Sequence, residues 1–201
     1  MSTAVTLPVP RILTRQDCER MAGEGSLDYD RFELIEGALI PKVSKKHRHT
    51  VTLVLLLKWF VGRFGVERAI QEAAIDLRPE DNPVNAPEPD FVLLNDSIVR
   101  LGRRPRPEDV LLLVEVSDST LAFDLGVKAR LYARAGIADY WVIDINGRRI
   151  ISHRDPVAGG FRTIRTYSAG ERLAPLAVPE AEILVEELLP PVINLSEAPA
   201  I

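Results

Sequence analysis

The stretch LLLVEVSDST, residues 111–120, places one acidic residue near the end of an otherwise apolar run. Leucine and valine without polar alternation, followed by polar residues at 117–119, predict a strand that is buried on both faces. Removing a carboxylate from water costs several kcal/mol, so a buried carboxylate is normally paired, protonated or bound to a metal. Glu115 is therefore half of a structural ion pair, a glutamate at a hydrated strand end, or a functional carboxylate.

The segments around this strand predict an α/β fold. Residues 119–136 begin with a serine and a threonine that can cap a helix, continue with helix formers and end at a glycine. This helix would connect the central strand to the next apolar strand, DYWVIDI, as a right-handed parallel unit. The other predicted elements are a short N-terminal helix, the hairpin RFELIEGALI, a buried helix over residues 49–64, the strands RAIQEAAIDL and PEPDFVLLND, the closing pair GRRIISHRD and FRTIRTYSA, and a last short helix within PEAEILVEELLPP. Together they predict a mixed β-sheet flanked by helices, with an N-terminal helix and β-hairpin.

The composition indicates an ordinary soluble protein. A chain of 201 residues, 46% apolar and 27% charged, can bury a full core, and we expect a single domain over residues 1–201. The one cysteine, Cys18, cannot form an internal disulfide, which favours a reducing compartment. The first residues lack the pattern of a secretion signal, and the most apolar run, VTLVLLLKWFV, is too short to cross a bilayer. We therefore expect a cytoplasmic protein without a membrane partner.

The charged residues give no general attraction to nucleic acid. The formal net charge is −4, so any such binding would depend on local basic segments. Two segments qualify, KKHRH at residues 45–49 and RLGRRPRP at residues 100–107, and each is either a solvated surface or a set of phosphate contacts. The candidate contacts in them are Lys45, Lys46, Arg103 and Arg104.

Two carboxylates are predicted to meet at one edge of the sheet. Asp90 comes just before the strand FVLL, and Glu115 lies near the end of the next long strand. If these strands are neighbours, the two carboxylates approach each other, and the backbone carbonyl of Val116 could add a third oxygen. Such a set of oxygen ligands suits Mg²⁺ or Mn²⁺.

The helix after the central strand can add a cation to this group. Asp124, Lys128 and Tyr132 are spaced four residues apart, which places them on one face of a regular helix. That face can be directed at the carboxylates because the helix begins where the strand of Glu115 ends. Asp124 is therefore a candidate for an outer group of the metal site or for a nucleic-acid contact. The alternative is that Asp124 and Lys128 form an ordinary surface ion pair, worth under about 1 kcal/mol.

This order of residues resembles that of the bacterial "putative restriction endonuclease" family within the PD-(D/E)XK nuclease superfamily. The similar features are Pro89-Asp90, Glu115 on an apolar strand, an aspartate and a lysine on the next helix, the run YARAGIADYWVID, the hairpin RFELIEGALI, a histidine near the start of a helix, and the ending GERLAPLAVPEAEILVEEL. They span roughly residues 12–189. The resemblance implies a restriction-endonuclease-like core and hydrolysis of DNA phosphodiester bonds that depends on Mg²⁺ or Mn²⁺.

The resemblance also implies roles for individual residues. Asp90 and Glu115 would bind the metal ion, and Glu33 of the hairpin would face the same cleft and, as a catalytic residue, assist the metal or its water. The superfamily pattern has a lysine two residues after the glutamate, where this chain has Ser117, and Lys128 of the helix would replace that lysine. His49 matches the histidine of the family and is either an outer contact of the metal or a phosphate, or a structural hydrogen-bonding group at a helix start.

Three functions remain open from the sequence. The first is a metal-dependent endonuclease that acts on DNA. The second is a nuclease-fold protein that is catalytically weak or inactive and binds nucleic acid or a protein partner. The third is an interaction module in which Glu115 is bonded to an arginine. An exposed sheet edge at the closing hairpin further indicates a homodimer.

Overall fold

The computed structural model describes residues 12–192, which form two compact units. Residues 12–43 and 76–87 belong to the first unit, and residues 44–75 and 88–192 belong to the second. The single domain over residues 1–201 stays a prediction. Within residues 12–192, no helix is both long enough and apolar enough to cross a membrane.

The first unit contains the predicted N-terminal helix and hairpin. Its elements are α1 (Arg15–Gly23), β1 (Phe32–Ile35) and β2 (Ala38–Pro41). Thr14 and Asp17 form a reciprocal capping box at the start of α1, which satisfies two backbone N–H groups that the helix leaves unpaired. The antiparallel strands turn at Glu36 and Gly37, which both have the positive φ that a two-residue hairpin loop requires. Buried Cys18 belongs to the small core of this unit.

The second unit is a six-stranded mixed sheet with helices on both faces. Its main elements are α2 (His47–Phe64), β3 (Ala69–Gln71), β4 (Phe91–Leu94), α3 (Ile98–Leu101), β5 (Val110–Ser117), α4 (Leu121–Phe123), α5 (Ala129–Ala135), β6 (Asp139–Asp144), β7 (Arg149–Val157) and β8 (Gly160–Ser168). The strand order follows the chain from β3 to β8, and β5 with β6 is the one parallel pair of this sheet. A short pair, β9 (Arg172–Leu173) and β10 (Ile183–Leu184), precedes a 3₁₀ turn at Val185–Leu188, where the sequence predicts the last short helix. The predicted mixed sheet and parallel unit are confirmed.

The central strand is buried as predicted, and its two faces pack against different helices. Every residue of β5 except Leu111 is buried. On one face, α2 packs against Val114 and its neighbours, and the rings of Phe60 and Phe91 stack with centroids 5.3 Å apart. Because side chains alternate along a strand, Glu115 points to the opposite face, where α5 lies.

Two elements differ from the prediction. The strand predicted over RAIQEAAIDL is limited to β3, because Glu72 has a φ of 51°, which is incompatible with an extended strand. The helix after β5 is divided into α4, a π-helical turn at Asp124–Lys128, and α5. In this turn the N–H of Ala129 donates to the carbonyl of Asp124, five residues back, in place of the usual four.

Candidate functional site

Asp90 immediately precedes β4 and is held by the neighbouring strand β5. The two strands are antiparallel with Phe91 opposite Val114, so the same register continued by one residue places Asp90 opposite Glu115. Cβ atoms at opposite positions lie about 5 Å apart. Oδ2 of Asp90 accepts a hydrogen bond from the N–H of Val116 at 2.8 Å. The two carboxylates were expected to meet if their strands are neighbours, and β4 and β5 are neighbours.

Glu115 is compensated by two donors from the helical segment on its face of the sheet. Its Oε1 accepts hydrogen bonds from Nζ of Lys128 at 2.9 Å and from Oη of Tyr132 at 2.8 Å. Relative exposure is 3% for Glu115, 5% for Lys128 and 0% for Tyr132. A charge pair this deeply buried is tolerated because it is both matched and hydrogen-bonded.

Asp124 is bonded to a different set of groups from Lys128. Its Oδ2 accepts hydrogen bonds from the hydroxyls of Ser117 and Thr120, each at 2.6 Å, and its backbone carbonyl accepts one from Oη of Tyr140 at 3.0 Å. The interpretation of Asp124 and Lys128 as a surface pair is wrong, because both side chains are buried.

A π-helical turn connects Asp124 to the residues that bond Glu115. Lys128 ends the turn and Tyr132 follows it in α5; the two residues keep their regular spacing and reach the same oxygen of Glu115. Asp124 begins the turn and bonds the end of β5.

His49 lies in the first turn of α2, close to Asp90. Its Nε2 is 3.6 Å from Oδ1 of Asp90, which is longer than a hydrogen bond. Its Nδ1 is buried and has no hydrogen-bond partner among the residues that the structure describes. His49 thus belongs to the outer surroundings of Asp90, and both interpretations of its role stay open.

The lysines of the first basic segment contact acidic residues of the same unit. Lys45 forms an ion pair with Glu72, and Nζ of Lys46 is 3.9 Å from Oδ2 of Asp118. Both lysines are exposed, so these pairs contribute little stability. Their contact with phosphate stays a prediction.

The second basic segment contains one arginine with a structural role. Arg103 donates to both carboxylate oxygens of Asp109, at 2.6 and 3.2 Å. Burial acts to raise the pKa of Asp109, but the hydrogen bonds from Arg103 and from the N–H of Arg106 outweigh it, so the pKa is lowered. Arg104 is exposed. A phosphate contact by Arg103 would compete with the bond to Asp109.

Glu33 lies in the first unit. It is half-buried in β1, opposite Ile40 of β2. Its predicted place beside Asp90 and Glu115 stays a prediction.

Asp90 and Glu115 have the ligand chemistry that a hard divalent cation prefers. Within residues 12–192, no group of three or more His, Cys, Asp or Glu side chains is arranged to hold a metal ion. Mg²⁺ requires only one or two carboxylates and completes its octahedron with waters and substrate phosphates. An ionised carboxylate offers about four acceptor sites, so a carboxylate that accepts hydrogen bonds can also bind a cation. The carbonyl of Val116 as a further ligand stays a prediction.

Three residues of this network have no role assigned from the sequence. Tyr132 has a detectable signal, because its spacing from Lys128 places it on the same helix face. Ser117 and Thr120 have none, because hydroxyl residues between a strand and a helix are ordinary capping residues.

The comparisons with known proteins agree with this architecture. Residues 16–186 match the model of the Uma2 family, whose description is "Putative restriction endonuclease". Among solved structures, the chain is similar to a crystal structure described as a putative nuclease belonging to DUF820 from Anabaena variabilis. The two chains are 14% identical, the match covers 78% of this chain and 88% of the other, and the TM-score is 0.58. No curated protein matches the chain.

At this identity the solved structure supports the fold alone, which is the predicted mixed sheet of a restriction-endonuclease-like protein. The family model is the stronger finding, because it spans most of the chain, from α1 to the last 3₁₀ turn. The protein therefore belongs to the Uma2 family of "putative restriction endonucleases".

Proposed function

We propose that this protein is an endonuclease that hydrolyses phosphodiester bonds of DNA with the help of Mg²⁺ or Mn²⁺. The observation that carries the proposal is the buried bond of Lys128 to Glu115, on the strand adjacent to Asp90. A carboxylate pair with a lysine beside it provides a metal ligand set and a cation for a reacting phosphate. Membership of the Uma2 family supports this class of reaction.

In this proposal each residue has a separate task. A divalent ion held by Asp90 and Glu115 would act as a Lewis acid on the phosphodiester and lower the pKa of a bound water. Lys128 stabilises negative charge that develops on the phosphoryl oxygens. The N–H of Val116 orients Asp90, and Tyr132 orients Glu115. Pre-orientation by such groups is what gives a ligand set its geometry.

Further residues extend the proposed site toward DNA. Lys45, Lys46 and Arg104 are exposed and can contact backbone phosphates, and Arg103 could do so by exchanging its bond to Asp109. Glu33 and His49 are proposed as outer groups of the metal site. A cytoplasmic location fits such a substrate and the lone, buried Cys18.

Nicking of supercoiled plasmid tests the proposal. The wild-type protein is expected to cleave with Mg²⁺ or Mn²⁺ and to stop when EDTA is added. Asp90→Asn is expected to lower the rate at least about 10²-fold, because it removes one charged metal ligand while an amide oxygen can still accept from Val116. The matched control is Asp155→Asn, at an exposed position of β7, which should cleave like the wild type. Equal rates for both variants would contradict the proposed metal site.

One observation favours the second candidate function, binding without cleavage. Glu115 is already paired with Lys128, so its burial is explained even without a metal ion. A wild-type protein that binds DNA or a protein partner, and whose preparations never nick plasmid with either metal, would support this function over hydrolysis.

We also propose a homodimer formed through β8. Within residues 12–192 this nine-residue strand pairs with β7 on one side and with no strand on the other, and Ile164 at its centre is 59% exposed. Such an edge can pair with a second copy. Analytical ultracentrifugation is expected to show a dimer for the wild type and a monomer for Ile164→Lys. The control Val99→Lys, at a site 73% exposed on α3, should remain dimeric, and a wild type that is monomeric at micromolar concentration would refute the dimer.

A further inference from the structure

The strand of Glu115 is contacted twice by the segment that follows it. Ser117 lies two residues after Glu115, so both side chains point to the same face of β5, about 7 Å apart along the strand. Asp124 bonds Ser117, and Lys128 bonds Glu115. The π-helical turn connects these two contacts.

The π-helical turn lies between these two contacts. Its first residue is Asp124 and its last residue is Lys128. Each residue of an α-helix advances by about 100° around the axis, so the additional residue of a π-helical turn sets the side chains after it back by about that angle. With this turn in place, Asp124 bonds the end of the strand while Lys128 and Tyr132 reach Glu115 on the same face of β5.

Asp124 accepts hydrogen bonds through both its carboxylate and its backbone carbonyl. Its carboxylate accepts from two hydroxyls at 2.6 Å each, and it is only 3% exposed. Its backbone carbonyl accepts the π-type bond from Ala129 and a second bond from Oη of Tyr140 on β6. The ring of Tyr140 packs edge-on against the ring of Tyr132, with centroids 5.1 Å apart. Tyr140 therefore links the backbone carbonyl of Asp124 to Tyr132, which donates to Glu115.

We propose that Asp124 is a positioning residue of the site, which acts through Lys128. By anchoring the π-helical turn to β5 and β6, it fixes where Nζ of Lys128 lies relative to Glu115. The catalytic consequence rests on the proposed nuclease function, but the anchor itself does not. Ser117 and the lysine on the helix then belong to one arrangement, because Ser117 supplies the hydroxyl on β5 that bonds Asp124.

Amide hydrogen exchange of the metal-free protein tests the anchor without any activity. Asp124→Ala is expected to speed exchange of residues 124–132 about tenfold or more, while exchange in β5 and β6 stays as in the wild type. Asp124→Asn should restore most of the protection, because its amide oxygen can still accept from a hydroxyl. Unchanged exchange in residues 124–132 of Asp124→Ala would overturn the proposal, whatever the protein catalyses.

A double-mutant cycle of cleavage rates tests the action through Lys128. Asp124→Ala is expected to slow cleavage about 10²-fold, the cost of misplacing a group by about 1 Å, with the Mg²⁺ dissociation constant from calorimetry within about twofold of the wild type. In the Lys128→Met background, Asp124→Ala should add less than about threefold, because the group that it positions is gone. If the rate losses of Asp124→Ala and Lys128→Met multiply in full in the double variant, Asp124 has a merely structural role and the proposal is overturned.

The matched control is Asp144→Ala. Asp144 is also 3% exposed and bonds a backbone N–H and an arginine at the end of β6, so its removal should destabilise the fold. Its effect on cleavage should multiply with that of Lys128→Met, in contrast to Asp124→Ala. If Asp124→Ala does not fold, Ser117→Ala removes one of the two hydroxyl bonds and should show the same dependence on Lys128 with a smaller loss. If the cleavage losses of Ser117→Ala and Lys128→Met multiply in full, the proposal is likewise overturned.

Discussion

Glu115→Gln is expected to abolish DNA cleavage and to lower the free energy of unfolding of the metal-free protein by about 3 to 5 kcal/mol. The loss of activity follows from removal of a charged metal ligand. The loss of stability follows from Lys128, which is 5% exposed and keeps a buried charge without its partner. Removing one member of a buried ion pair is costly even where the pair itself contributes little.

The double variant Glu115→Gln/Lys128→Met separates these two effects. It replaces both charges by uncharged groups of similar size, so its stability should return toward that of the wild type while cleavage stays absent. Urea unfolding and plasmid nicking measure the two quantities. Glu19→Gln, at an exposed position of α1, is the matched control and should change neither. A Glu115→Gln protein that nicks plasmid at the wild-type rate would remove Glu115 from the mechanism.

Lys128→Met is expected to slow cleavage by about 10² to 10³ while the protein still binds Mg²⁺, because the variant loses one electrostatic stabiliser of the transition state but no metal ligand. It leaves Glu115 buried with the hydroxyl of Tyr132 but without the cation at 2.9 Å. A bound divalent cation supplies the missing positive charge. Mg²⁺ should therefore raise the melting temperature more in Lys128→Met than in the wild type.

Calorimetric Mg²⁺ titration and thermal melting, with and without the metal, check this expectation beside the nicking assay. The control is Lys58→Met, since Lys58 is an exposed lysine of α2. Equal cleavage by Lys128→Met and the wild type would show that the lysine of the helix does not replace the lysine of the superfamily pattern. An equal gain in melting temperature would show that the metal does not bind at Glu115.

Local sequence signals predicted most of the fold because they act over short distances. The uninterrupted apolar run of β5, the capping residue Thr14 and the turn at Glu36 and Gly37 each specify their own geometry. The neighbouring carboxylates could be anticipated in the same way, because Asp90 and Glu115 each stand at a recognisable position of a strand.

The π-helical turn could not be predicted, because its causes are distant in the sequence. Regular spacing in residues 119–136 is compatible with an unbroken helix, and the deviation depends on bonds from Ser117 and Tyr140, which lie on two different strands. The pairing of Arg103 with Asp109 spans only six residues, but a basic segment does not reveal which acidic side chain its loop brings near. Tertiary contacts override local preference at these positions.

The parallel pairing of β5 and β6 also governs when this site can assemble during folding. The hairpin of β7 and β8 closes through a short loop and can form in microseconds, whereas β5 and β6 cannot pair until the segment between them has crossed the sheet. Glu115 lies on the strand before this crossing and Lys128 within it. We therefore expect the two charges to leave water together, in the non-local step that closes the sheet.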